Sequence, residues 1–246
     1  MFKKGHSETP EEITRLESPI DVMLLMHKAF HAISERTERL AARLEGGGDL
    51  QAFEEAFEFW AKQLIYHATA EDKYMTTPLT NCQPARTNEA EHAALAEQAM
   101  AVNGFLEEGD AAGLAESVRA TMRALQEEQH KELTDKLEEV AKVLKKEIGE
   151  AKLVARTRRH LYAKVLALRL AEYDHFENEE AFVVSLVRER MTEKEQLEVA
   201  RRLLMDDESQ DPRWIVDWVA RELSSGERRL LAGLEARFKP SIAGVS

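Results

Sequence analysis

The chain has 246 residues, 43% hydrophobic and 33% charged, with a formal net charge of −12. That length allows one large domain or a domain with an appendage, and the acidic balance argues against nucleic acid or an anionic membrane as the main partner. A single cysteine, Cys82, excludes an internal disulfide framework.

With only 11 Gly and 6 Pro among long Ala/Leu/Glu/Lys/Arg stretches, an all-α protein is expected. Residues 1–17 are expected to form a flexible leader. MFKKGHSETPEE lacks the apolar core of a signal peptide and no stretch approaches a membrane span, so a reducing cytoplasm is the expected compartment. Ser18-Pro19-Ile20-Asp21 signals a helix start: Ser18 as N-cap, Pro19 in the first turn and an acid three residues after the cap. That helix is expected to run to about Glu45 and stop at Gly46-Gly47-Gly48. Asp49 caps a second helix ending at Pro78. A turn-rich loop over 79–87 precedes a third helix, starting near Asn88 and pausing at Gly109-Asp110. Helix formers then continue to Arg190, broken best at Gly149, which follows a cation-rich helix end. Thr192-Glu193-Lys194-Glu195 and Ser224-Ser225-Gly226-Glu227 are capping boxes for short helices. Asp211-Pro212 opens another, carrying Trp214 and Trp218, which are expected to dock the C-terminal helices.

Two copies of a His-x-x-x-Glu step stand out: His67/Glu71 in YHATAEDKYM and His175/Glu179 in DHFENEEAF. Four residues advance a helix by about 400°, so each pair points one way from its helix. Phe53, Phe57, Trp60, Leu64, Tyr74 and Pro78 share the stripe of the first pair. Leu161, Leu168, Phe182 and Leu186 share that of the second. A carboxylate and an imidazole on an apolar seam must be paired, ligated or protonated, and a metal cation satisfies both at once. The first and third helices add further histidines. His27 lies within the arc of Ile20, Met23, Leu24 and Phe30, with His31 to one side; His92 is in line with Leu95, Ala99 and Leu106. Imidazole and carboxylate suit iron, manganese or zinc. Tyr74 lies close to the His67 direction, either reaching a ligand or serving as a core tyrosine. In a rival pair, His130 and Asp135, the histidine lies about 80° from the centre of the arc of Met122, Leu133, Leu137, Val140 and Leu144, and Asp135 falls on the polar side. His6 is expected in the leader and His160, beside Arg158 and Arg159, on the surface.

The order of one seam histidine, then HATAE, EAEH and HFENEE, resembles the hemerythrin-like HHE cation-binding domains over about residues 18–191. Its closest likeness in ligand pattern is to the iron-sensing F-box branch. The resemblance implies an all-α, hemerythrin-like four-helix bundle holding a non-haem di-iron centre, with manganese or zinc as other possible ions. It implies His27, His67, Glu71, His92, His175 and Glu179 as metal ligands, with the two glutamates able to bridge. Three domains are then expected: the leader 1–17, the bundle 18–191 with a long helical insertion after His92, and a C-terminal helical extension 192–246 packed on it. Where oxygen-carrying hemerythrins have a second histidine one turn after the helix-three ligand, this chain has Ala96, which weighs against reversible O2 carriage. The leading expectation is a protein that senses, stores or buffers iron or a diatomic gas, with O2, NO or peroxide as small ligands. The rivals are a di-iron oxidoreductase (oxidase, peroxidase or NO-reducing) and a metal-free helical interaction module.

Overall fold

The computed structural model describes residues 12–44, 46, 48–79, 82–106 and 155–238. The insertion over 107–150, His6 and the rival pair His130/Asp135 lie outside the described residues, as does the leader up to residue 11. All regular structure among the described residues is helical. In chain order the α-helices are α1 Val22–Leu44, α2 Leu50–Glu71, α3 Gln83–Leu106, α4 Ala155–Asn178, α5 Val184–Arg190, α6 Glu193–Leu204, α7 Trp214–Glu222 and α8 Ser225–Glu235. The chain forms two compact units. One comprises Phe30–Val183, and the other Met1–Ala29 with Val184–Ser246. Helix α1 begins in the second unit and continues into the first.

The Phe30–Val183 unit is a helix bundle. Its core is built by residues spaced three and four apart, which place one apolar stripe per helix inward: Phe30 and Ile33 on α1, Phe53, Phe57, Trp60 and Leu64 on α2, Leu95, Ala99 and Val102 on α3, Leu161, Val165, Leu168 and Phe176 on α4. Polar side chains tie the helices together. Tyr162 and Tyr173 donate to Glu38 and Glu35 of α1, each at 3.1 Å, and Arg169 pairs with Glu38. The Trp60 indole N–H donates to Glu172, a carboxylate with no solvent exposure. Asp49 caps α2 by accepting from Ala52 N at 3.2 Å, as its position before an apolar-periodic run predicts. In the preceding link, Gly48 sits where an added Cβ would lie 2.8 Å from the Arg43 carbonyl oxygen, so the turn tolerates no side chain there.

Three local expectations are corrected. Helix α3 starts at Gln83 instead of near Asn88, because Pro84 occupies the first helical turn, where its missing N–H costs nothing. Downstream of each His-x-x-x-Glu pair the expected stripe also rotates. Helix α2 runs directly into a π-helical turn, Asp72–Thr76, and α4 into another, Glu179–Val183. A π turn takes more residues per turn than an α turn, so each residue advances by less than the α-helical angle. Met75 and Thr76 therefore turn inward, leaving Tyr74 half-buried and Pro78 exposed. Likewise Val183, Val184 and Val187 replace Phe182 and Leu186 on the buried face, with Phe182 60% exposed.

In the other unit the three expected caps form. The Asp21 carboxylate accepts from Ser18 N at 3.0 Å, Ser18 Oγ at 2.7 Å and Glu17 N at 2.6 Å, and Arg188 Nη2 lies 2.7 Å away. Thr192 and Glu195 make the second box, and Ser224 and Glu227 the third. Glu227 also receives Lys28 Nζ at 2.5 Å. Trp218 is buried; Trp214 is half-buried and donates its indole N–H to Asp206 at 3.1 Å.

Burial pushes the Asp21 carboxyl up, but its bonds from Ser18 and Arg188 outweigh this and hold it below its ordinary value of 3.8. A depressed folded-state pKa contributes stability that is present above the unfolded value and lost as pH falls through the folded one. Asp21→Ala should therefore cost about 1.5–3 kcal/mol near neutrality, read by urea unfolding. The deficit should shrink as the pH is lowered below 3.8.

Candidate metal centre

His67 sits one turn before the end of α2, and Glu71 is that helix's last residue. Their spacing brings His67 Nε2 to 2.7 Å from Glu71 Oε1. The second oxygen of the same carboxylate, Oε2, lies 3.0 Å from Nε2 of His92 on α3. From α4, His175 brings its ring centroid to 4.6 Å from that of His92, and its Nε2 to 3.9 Å from Glu179 Oε2. Glu71 and Glu179 have no exposure, and His67, His92 and His175 have at most 5%. Ligand atoms of Glu71, His92 and His175 lie within 4.8 Å of one another, and so do those of His67, Glu71 and Glu179. Five of the six residues expected as ligands thus converge within one unit, with Glu71 belonging to both groups.

Aromatic rings close the surroundings. Phe30 and Phe176 approach His67 at 4.9 and 5.8 Å, and Phe176 also lies 5.5 Å from His175. Each glutamate stands at a junction between α and π geometry. Such turns are frequent at functional sites, since they change which way neighbouring side chains point.

The remaining histidines divide. His27 is buried, on the part of α1 that belongs to the other compact unit. His31 is half-buried and stacks on Tyr173 at 3.8 Å between ring centroids; it belongs to neither ligand group. His160 is exposed, as expected from its arginine neighbours. The Tyr74 ring lies 5.0 Å from Lys73 Nζ.

Four polar residues behind the candidate ligands were not singled out from the sequence. Asp72 Oδ1 lies 2.8 Å from His92 Nδ1, and Glu91 Oε2 3.0 Å from His175 Nδ1. Asn178 donates to Glu91 at 3.1 Å, and Asn88 donates to Glu179 at 3.2 Å. A weak signal existed: Asp72 and Glu91 each adjoin a ligand in sequence, and Asn88 precedes His92 by one turn.

The electrostatics suit a cation. Burial raises the Glu71 carboxyl, yet His67, through its charge and hydrogen bond, and His92 outweigh that, so Glu71 stays ionised well below the usual range. Burial also disfavours a charged His92, but Asp72 and Glu71 push it up to about 10. His175 is lowered, by burial first and then by the charge of His92, against the pull of Glu179. Carboxylates that draw a proton onto His92 would draw a metal ion to the same point, and the donor set of imidazole nitrogens and carboxylate oxygens fits iron, manganese or zinc.

Residues 18–128 match the family model of the hemerythrin HHE cation binding domain. Over that stretch the chain is similar to the hemerythrin HHE domains. That match includes His67, Glu71 and His92 and ends before α4, so His175 and Glu179 lie outside it and are brought beside those residues by the fold. Comparisons with curated proteins and with solved structures returned no match. Among the described residues, no helix is long and apolar enough to cross a membrane.

Proposed function

We propose that this chain is a non-haem di-iron binding protein that senses, stores or buffers iron or a diatomic gas in the cytoplasm. Its ligands are His67, Glu71, His92, His175 and Glu179, and His27 joins them on the family resemblance. The observation that carries the reading is Glu71, a fully buried carboxylate with one oxygen directed at His67 and the other at His92. A carboxylate so placed would offer one oxygen to a cation beside His67 and the other to a cation beside His92, and helix bundles with inward Glu and His sets are a recurring way to hold two metal ions. When bound, iron held by imidazole and carboxylate with open positions supplies the capacity to bind and reduce O2, NO or peroxide. The chain's own part is to hold the carboxylates ionised, to aim the imidazoles, and to keep the surroundings apolar through Phe30 and Phe176.

Metal analysis of protein purified without added chelator, then reconstituted anaerobically in ferrous iron, should give about two ions per chain. A content near zero in both preparations would reject the proposal and favour the interaction module. Sustained turnover with a reductant and peroxide would instead promote the oxidoreductase reading.

A second measurement separates the two pairs offered for the last ligand positions. Glu179→Ala should lower iron affinity strongly, because it removes a buried anionic ligand. Asp135→Ala should leave affinity unchanged. The reverse result would move the centre away from α4.

A further inference from the structure

We propose that Asp72 and Glu91 are positioning residues for the metal centre. Each accepts the Nδ1–H of one histidine, His92 and His175 respectively, so that the opposite ring nitrogen, Nε2, is turned toward the cation position beside Glu71. The inference rests on the metal-binding reading above.

The geometry runs through both rings. His92 has Nδ1 at 2.8 Å from Asp72 Oδ1 and Nε2 at 3.0 Å from Glu71 Oε2. His175 has Nδ1 at 3.0 Å from Glu91 Oε2, while Glu91 Oε1 is held by Asn178 Nδ2 at 3.1 Å. Neutral imidazole carries one proton, and the partner of that proton selects the tautomer. A carboxylate at Nδ1 leaves the Nε2 lone pair available to a metal, fixes the ring plane and raises the basicity of the ligating nitrogen.

Local sequence explains how both carboxylates come to stand there. Consecutive residues on a helix point about 100° apart. Glu71 faces the centre from the end of α2, so Asp72, the first residue of the π turn, reaches the outer side of the His92 ring. On α3, His92 faces the centre and Glu91, one position earlier, meets the outer side of His175. Two adjacent pairs, Glu71-Asp72 and Glu91-His92, thus each contribute one ligand and one orienting carboxylate. Asp72 and Glu91 are 41% and 27% exposed, which places them at the rim, between solvent and the buried rings.

A bland role is also open to these contacts: they tie α2 to α3 and α3 to α4. That role predicts lost stability with no change of tautomer and no change in the metal affinity of the folded protein. The test uses zinc(II) as probe on the full chain. Metal-free wild type, Asp72→Ala, Asp72→Asn, Glu91→Ala and a control, Glu97→Ala on the exposed side of α3, are titrated against a chromogenic chelator. Long-range proton–nitrogen NMR of the zinc-loaded protein reports which nitrogen of each ring carries the proton.

The expected result is Nδ1 protonation of His92 and His175 in the wild type. Asp72→Ala and Glu91→Ala should weaken zinc binding by roughly 10–100-fold. Asp72→Asn, which keeps an acceptor oxygen, should lose less, and Glu97→Ala nothing. If Asp72→Ala fails to fold by circular dichroism, Asp72→Asn and Glu91→Ala carry the comparison. Wild-type binding with the Asp72 and Glu91 variants within about twofold of it, or Nε2 protonation of either ring, overturns the inference while leaving the metal centre standing. A wild type that binds neither zinc nor ferrous iron overturns the metal reading, and this inference with it.

Discussion

Glu71→Ala should abolish iron loading at both positions of the centre. One oxygen of Glu71 faces His67 Nε2 at 2.7 Å and the other faces His92 Nε2 at 3.0 Å, and among the described residues Glu71 is the one side chain shared by both groups. Removing it takes an anionic donor from each cation position at once. The loss of affinity should exceed the roughly 10–100-fold typical of deleting an outer partner of a metal ligand. Glu71→Gln keeps the volume and an acceptor oxygen but not the charge, so it should fold well and still bind iron weakly. Anaerobic ferrous titration followed by metal analysis reads both variants. Retention of two ions at wild-type affinity in Glu71→Ala would refute a shared carboxylate.

Removing metal should lower the melting temperature. The centre concentrates two buried carboxylates and three buried imidazoles from α2, α3, α4 and the adjoining π turn. Without a cation their mutual hydrogen bonds must carry the whole desolvation cost. A ligand bound only by the folded state stabilises it by about 4 kcal/mol at a free concentration about 1,000 times its Kd. For a chain of this size about 2–4 °C per kcal/mol follows, a shift of roughly 8–16 °C. Calorimetry of the chelator-stripped protein, before and after ferrous reconstitution, measures it. An unchanged melting temperature despite stoichiometric iron would mean that the bound metal does not sit in the buried cluster.

Much of this architecture was legible before any coordinates. A period of four places His67 with Glu71 and His175 with Glu179 on one helix face each, and surrounding apolar residues assign that face to the interior; the backbone geometry of a helix makes this a local property. Caps are equally local. Ser18/Asp21, Thr192/Glu195 and Ser224/Glu227 satisfy amide groups within three residues of themselves, and all three formed where the motifs stood.

What the residue order did not disclose is non-local. The π turns after Glu71 and within EEAFV have no composition that sets them apart from α-helix. Such a turn is less favourable in isolation, so it persists where packing of Met75, Thr76 and Val183 holds it. That is why Phe182 and Pro78, correctly placed for a continuous α-helix, lie outside. The partners of the ligand rings were hidden for a related reason: Asp72 meets a histidine 20 positions away and Glu91 one 84 positions away. Glutamates and aspartates abound in this chain, and periodicity says only which of them face inward on their own helix. Which rim carboxylate meets which imidazole depends on how α2, α3 and α4 are turned and shifted against one another, and that is settled by the packing of whole helices.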